Sequence, residues 1–187
     1  LATACVFACG DPSGPDGPPQ LITELPRDLT VSEQAVISGS NRFGLDLLRT
    51  VRAAEPDSPN VFLSPLSASM ALGMTLNGTD GATWTQMRDM LGFEGLEEPE
   101  INAAYQELIA LLLELDPAVT FGLGNSIWAR EGIPFEDSFY ERVTEAFDAE
   151  LREMDFADPA TKDTINAWVE EVTNGRITDM IETIPPE

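Results

Sequence analysis

Residues 60–93 read NVFLSPLSASMALGMTLNGTDGATWTQMRDMLGF, and this stretch decides the fold. The apolar run 61–63 predicts a short strand that leads into Ser64 and Pro65. A serine caps a helix start, and a proline fits its first position because the N–H there has no partner in any case. The next helix, residues 66–76, is apolar nearly all round, which is typical of a buried helix. A glycine-broken turn then leads to a shorter helix over 83–91.

Apolar spacing predicts further helices on both sides of this stretch. The first follows the capping residues 38–41 and ends before Pro56. The stripes are Phe43, Leu47 and Val51; Ile101, Tyr105, Leu108, Ile109 and Leu112; Phe139, Val143 and Phe147; and Ile165, Trp168, Val169 and Val172. The last stripe is closed by Asn174 and Gly175, a typical left-handed helix end.

Two more segments predict strands. Alternation of period two runs over residues 119–129, and residues 151–156 form a second, shorter candidate. Asn125 falls on the apolar face of the first strand, where its amide needs hydrogen-bond partners. The sequence therefore predicts a helix-rich α+β fold whose strands have no neighbour within the chain.

Composition excludes several classes of function. The chain of 187 residues has 33 acidic and 10 basic residues, a net charge of −23, which repels nucleic acid and anionic membranes. It has no histidine, and both cysteines lie within the first ten residues. An enzyme would have to use paired carboxylates or a bound metal, and neither a calcium loop nor a zinc pattern is present. We therefore expect no catalytic residue, no metal and no cofactor.

The N-terminus predicts export. Residues 1–9 are interpreted as the remnant of a signal peptide with a lipobox, in which Cys9 becomes lipidated, with Cys5 as the alternative. An ordinary secretory signal with an incidental cysteine is the other interpretation. Residues 10–37 are interpreted as a Gly/Pro/acidic linker, and residues 38–187 as the folded domain. The predicted location is extracellular or at the cell envelope, with the membrane reached only through a lipid anchor.

Four blocks of sequence carry a family resemblance. They are Asn60, Ser64-Pro65 and Ser67; Asn77-Gly78 and Gly81-Ala82-Thr83; Gly124-Asn125-Ser126; and Ile165-Asn166-Ala167-Trp168 with Thr173-Asn174-Gly175-Arg176-Ile177. In this order they resemble the N-terminal half of a serpin, the serine-protease-inhibitor fold, and suggest a bacterial-type exported or lipoprotein member.

The resemblance implies a set of polar residues beneath the centre of a sheet that must part during function, the region called the shutter. These residues are Asn60, Ser64, Pro65, Ser67, Asn125, Asn166, Thr173 and Gly175. Plainer roles exist: Ser64 as a helix cap, Asn166 and Thr173 as helix-surface residues, Gly175 as a helix stop. For Pro65 and Gly175 the plainer role is favoured, whereas Ser64, Ser67 and Asn125 are expected to be little exposed.

The resemblance also implies a function. Serpins trap a serine or cysteine protease when it cleaves a reactive loop that inserts into the sheet, and that loop belongs to the C-terminal half, which this chain lacks. The alternative is a non-inhibitory serpin that acts as a carrier or chaperone-like binding protein. A glycosaminoglycan partner is disfavoured because residues 101–115 contain no Lys or Arg. The sequon at Asn77 is interpreted as incidental.

Overall fold

The computed structural model describes residues 22–185, so Cys5 and Cys9 lie outside the described residues. Within this range the chain forms six helices and two strands. In chain order they are α1 (Val31–Ala54), α2 (Pro65–Leu76), α3 (Gly81–Met90), α4 (Glu98–Glu114), β1 (Asn125–Arg130), α5 (Asp137–Phe147), β2 (Ala149–Met154) and α6 (Ala160–Val172).

Helix α1 begins earlier than the sequence predicted. Thr30 caps it, and Glu33 returns a hydrogen bond to the Thr30 backbone, so the two form a capping box. Val36 in the second turn is fully buried. The predicted helix start after Ser38, and the end of the linker at residue 37, are therefore wrong, because residues 31–37 already belong to a packed helix.

The main core lies between α1, α2, α4, α5 and β2. Tyr105 is at its centre, with Phe93 edge-on at 5.9 Å and Phe147 tilted at 4.8 Å between ring centroids. Gly73 of α2 faces these rings, and a Cβ there would lie 3.0 Å from both Phe147 and Tyr105. The glycine therefore lets α2 approach the aromatic layer closely.

Burial of α2 is one-sided, which corrects the prediction of a helix covered on all sides. Met70 and Met74 are buried, but Ala71 is exposed and Leu72 is half-buried. The segment before α2 is also open: residues 60–63 form no strand, and Phe62 is 97% exposed. A strand needs a hydrogen-bonded neighbour, and no strand within residues 22–185 pairs with this segment.

The two strands form one sheet. β1 and β2 pair in parallel, with Asn125 opposite Ala149 and Arg130 opposite Met154, and α5 makes the crossover. The prediction of unpaired strands is therefore wrong. The first strand also starts at residue 125 rather than 119, and the second occupies 149–154 rather than 151–156. Because each strand has a single partner, β1 keeps one open edge within the described part of the chain.

Candidate functional site

The polar residues expected to share one region fall into separate groups. Asn60, Ser64, Pro65 and Ser67 lie at the start of α2, Asn125 begins β1, and Asn166, Thr173 and Gly175 belong to α6 and its C-terminal turn. Within residues 22–185, no hydrogen bond links one of these groups to another. Each group therefore has its own hydrogen-bond partners.

The group at the start of α2 is exposed. The Ser64 hydroxyl accepts a hydrogen bond from the Ser67 backbone N–H at 3.4 Å and lies 2.7 Å from the Ser67 hydroxyl. Pro65 occupies the first turn, and Asn60 is also exposed. The expectation that Ser64 and Ser67 are little exposed is wrong, because the face of α2 that carries them has no covering element in the described range.

The buried hydroxyl of α2 is Ser69, which the sequence did not single out. Its oxygen lies 2.5 Å from the Tyr105 hydroxyl and 3.2 Å from that of Ser40, and both Ser69 and Tyr105 are fully buried. The Tyr105 hydroxyl also donates to the Ser69 carbonyl at 3.1 Å. Burial raises the pKa of Tyr105 to about 12. This neutral network joins α1, α2 and α4 at the centre of the core.

Asn125 is half-buried and has a defined partner. Its amide donates a hydrogen bond of 2.7 Å to the carbonyl of Phe147, the last residue of α5. Phe147 is followed by Asp148, whose φ of 50° turns the chain into β2. Asn125 thus satisfies a carbonyl at the end of α5 and fixes the start of β1 relative to that helix.

Asn166 is buried and holds the segment that follows α6. Its amide donates to the carbonyl of Ile181, and its side-chain oxygen accepts from the Ile181 N–H, each at 2.9 Å. One side chain thereby satisfies both backbone groups of Ile181, as a neighbouring strand would. The role of Asn166 as a helix-surface residue is excluded, since it is 6% exposed.

Thr173 and Gly175 shape the turn between α6 and that segment. The Thr173 hydroxyl donates to the Val169 carbonyl at 2.7 Å and accepts from the Ile177 N–H at 3.1 Å. Asn174 and Gly175 have φ of 52° and 73°, which confirms the predicted left-handed helix end. Gly175 therefore has the plainer structural role.

Helix α6 lies against the face of the sheet opposite to the main core. Trp168 packs edge-on against Trp128 of β1 at 5.8 Å, and its indole N–H donates to Glu150 of β2 at 2.5 Å. Val172 contacts Gly124, where a Cβ would come within 2.9 Å of the valine side chain. The pKa of Glu150 is lowered, first by the Trp168 hydrogen bond and then by that of Arg152.

The Asn77 sequon is not accessible in the folded chain. Asn77 is 3% exposed, and its amide nitrogen donates to the Gly73 carbonyl and to the Asn102 side chain, each at 3.0 Å. Asn102 returns a hydrogen bond of 2.7 Å to the Asn77 oxygen. The Asn77 side chain joins α2 to α4, so its nitrogen is not free for a glycan.

The strongest electrostatic feature is at the start of α1. Glu33 is 1% exposed and accepts two hydrogen bonds from Arg27, at 2.6 and 3.0 Å. Arg27 also contacts Glu107 of α4 at 3.0 Å. Hydrogen bonding to Arg27 has the largest effect on the pKa of Glu33, and hydrogen bonding to Thr30 adds to it. Together they outweigh the opposing effect of burial and lower this pKa to about 2. This ion pair attaches residues 22–30 to the domain.

No group of three or more His, Cys, Asp or Glu side chains within residues 22–185 is placed to hold a metal ion. Among the helices in this range, none combines the length and the apolar character needed to cross a bilayer.

Comparison with known proteins identifies the family of this fold. A profile of the family described as Serpin (serine protease inhibitor) matches residues 38–187. The leukocyte elastase inhibitor of Bos taurus is 35% identical over 146 residues, which are 77% of this chain and 38% of that protein. The chain belongs to the serpin family. The predicted α+β, serpin-like fold is thereby confirmed.

Some other relatives of this serpin are named as binding globulins and not as inhibitors. The corticosteroid-binding globulin of Pongo abelii is 32% identical, over 79% of this chain and 37% of that protein. The structure of human thyroxine-binding globulin in complex with thyroxine has a TM-score of 0.75 and 27% identity, and the match covers 84% of this chain and 43% of that one. The chain thus spans about two fifths of the length of these relatives. Members of the family include both protease inhibitors and binding globulins, so membership alone does not assign either function.

Proposed function

We propose that this chain is the N-terminal part of an inhibitor of serine-type endopeptidases that acts as a conformational trap. The target is a serine or cysteine protease, and it is engaged by a reactive loop in residues beyond those of this chain. The proposal rests on family membership together with one observation: the sheet has an open edge at β1, and the helix that covers this sheet lies outside the main core.

An open edge suits this mechanism because the larger sheet that the trap requires can be built from it. Backbone groups along the outer side of β1 have no strand partner within residues 22–185. Gly122 and Gly124 precede the strand, and Val172 of α6 packs directly on Gly124. Further strands of the complete protein would extend the sheet from this edge, and the trap would work within that larger sheet.

The attachment of α6 also suits a sheet that rearranges. The residues of α6 lie outside the main core cluster. The helix is held to the sheet by the Trp168–Glu150 hydrogen bond, by the Trp128–Trp168 contact and by packing on Gly124, and it also buries Ile165 and Val169. Because no α6 residue belongs to the main core cluster, α6 can move on the sheet while that core stays packed.

The experiment uses the protein from the complete coding sequence. It is incubated with elastase-, chymotrypsin-, trypsin- and papain-type proteases, and the products are separated in SDS. A covalent complex that survives denaturation supports the trap. The 187-residue chain is the matched control and should form none. Cleavage of the complete protein by all four enzymes without any covalent complex would exclude inhibition.

The second candidate is a carrier, and it is favoured by the binding globulins among the relatives. It predicts saturable binding of a small apolar ligand by the complete protein, measured by fluorescence of the tryptophans, with no protease complex. The two outcomes separate the candidates because carriage needs no cleavage of a loop.

Export and anchoring through Cys9 complete the proposal, with Cys5 as the alternative site. The support is the apolar run that ends in Ala-Cys and the Gly/Pro/Asp-rich stretch that follows. One acyl chain binds a membrane only weakly, so stable anchoring requires several chains. Expression of the complete gene with Cys9→Ser, Cys5→Ser or both, followed by membrane fractionation, tests this. Unchanged partition of all three variants would exclude lipidation.

A further inference from the structure

Arg176 differs from every other basic residue that the structure describes. It is exposed, and it is the one Arg or Lys in residues 22–185 whose side chain makes no hydrogen bond, ion pair or ring contact. It is followed by Ile177 in a run of exposed residues from 174 to 180. The fold therefore presents the unpaired guanidinium of Arg176 within an accessible stretch of irregular backbone.

The backbone around Arg176 is weakly held. The left-handed residues Asn174 and Gly175 end α6 abruptly and direct the chain away from the helix axis. The N–H groups of Asn174 and Gly175 still donate to carbonyls of α6, at 3.0 and 2.7 Å. Beyond Gly175, two longer hydrogen bonds hold the chain: the Arg176 N–H donates to the Thr173 carbonyl at 3.2 Å, and the Ile177 N–H donates to the Thr173 hydroxyl at 3.1 Å. The next firm attachment is Ile181, held by Asn166.

We propose that the Arg176–Ile177 peptide bond is a processing site for an Arg-specific serine protease. Such enzymes bind the arginine side chain in a pocket with a carboxylate at its base, and exposed loops with small and polar residues are preferred sites of cleavage. Hydrolysis adds water across the bond, leaving a carboxylate on Arg176 and an ammonium on Ile177. The cut would separate α6 from the segment that Asn166 holds.

The other basic residues are less accessible to a protease than Arg176. Most other basic residues lie in helices or strands, whose backbone cannot enter a protease cleft without unfolding. Arg27 also lies in irregular backbone, but it is half-buried and bonded to Glu33 and Glu107. Because residues 1–26 contain no Arg or Lys, the N-terminal region offers no competing site. Selectivity for Arg176 follows from geometry and pairing together.

The test is limited proteolysis of the 187-residue chain with trypsin at a low enzyme ratio, followed by intact mass spectrometry. The first cut should yield fragments 1–176 and 177–187. Arg176→Gln should abolish this cut, and Arg176→Lys should retain it, since trypsin accepts both basic side chains. Arg152→Gln, a matched change at an arginine paired in β2, should leave it unchanged.

Thr173→Val tests the role of the turn. It removes the acceptor for the Ile177 N–H while keeping the shape of the side chain, so cleavage at Arg176 should be about two- to tenfold faster. Thr164→Val, which alters another hydroxyl of α6, is the control. First cleavage after Arg27 or at another basic residue would overturn the proposal. Equal acceleration of every cut in Thr173→Val would also overturn it, because the bond would then be exposed only by global unfolding.

Discussion

The side chain of Asn166 takes the place of a neighbouring strand for Ile181, with one hydrogen bond of 2.9 Å to its carbonyl and another from its N–H. Both residues lie where α6 meets the segment after it. A side-chain amide carries its donor and its acceptor on separate atoms, so it can bind the carbonyl and the N–H of one residue at once. The relationship explains why a polar residue occupies a buried position of α6.

We therefore predict that Asn166→Ala detaches the segment around Ile181. Two partly buried backbone groups lose their partner, so the free energy of unfolding should fall by about 1–3 kcal/mol. The amide of Ile181 should exchange with solvent faster in hydrogen-exchange measurements. Asn166→Asp should not rescue the protein, because a carboxylate cannot donate to the Ile181 carbonyl.

The control for this prediction is Asn41→Ala, an exposed asparagine of α1. Its effect on the free energy of unfolding should stay within about 0.5 kcal/mol. Equal effects of the two substitutions would contradict the assignment of Asn166.

A second prediction concerns the two serines of α2 that differ in burial. Ser69→Ala removes the hydroxyl that links Tyr105 to Ser40 in the core and should lower the free energy of unfolding by about 1–3 kcal/mol. Ser67→Ala, on the exposed face, should change it by less than about 1 kcal/mol. Urea unfolding followed by circular dichroism measures both. A larger effect at Ser67 would restore the prediction of a buried Ser67.

These serines indicate where prediction from sequence stops. Apolar stripes such as Phe139, Val143 and Phe147 predicted their helices because periodicity reports which residues face a core. In α2 nearly every position is apolar, so the pattern could not tell whether Ser67 or Ser69 points inward. The answer depends on Tyr105, a residue of α4, and a contact between distant helices leaves no local signal.

The candidate site residues also differ in whether the local sequence predicts their role. The left-handed end at Asn174 and Gly175 follows from local backbone preference and was predicted correctly. The partner of Asn125, the Phe147 carbonyl, and that of Asn166, the Ile181 backbone, were not predictable because they depend on tertiary packing. The start of α1 was missed although its capping box, Thr30 and Glu33, is a local signal in the sequence.

A third prediction concerns acid stability. The pKa of Glu33 is about 2 in the folded chain against an ordinary value of 4.5, because Arg27 and Thr30 bind the charged carboxylate. A lowered folded pKa stabilises the protein above the ordinary pKa, and this stabilisation is lost as the pH falls from about 4.5 to about 2. Glu33→Gln should lower the melting temperature at neutral pH and flatten its decline over this range.

The matched control is Glu107→Gln, since Glu107 contacts the same arginine from a side chain that is 58% exposed. Its melting temperature should decline with falling pH much as that of the unmodified chain does. Thermal unfolding at pH values from 7 to 2 measures all three proteins. If Glu33→Gln kept the full decline, the buried ion pair would not be the source of this acid sensitivity.

The last prediction concerns the open surface beside α2. Phe62 is 97% exposed, whereas Phe93 is 1% exposed in the core. An exposed aromatic residue next to an uncovered helix face is a surface for association, so we expect the 187-residue chain to self-associate. Phe62→Ser should reduce this association in sedimentation velocity and leave the free energy of unfolding within about 0.5 kcal/mol. Phe93→Ser should instead cost about 3–5 kcal/mol, because it removes a fully buried ring.

In the complete serpin that we propose, further residues would cover Phe62, and Phe62→Ser would then destabilise the protein. A loss of stability on Phe62→Ser in the complete protein but not in the short chain would therefore identify this surface as an interior one, whereas a monomeric short chain would contradict the prediction.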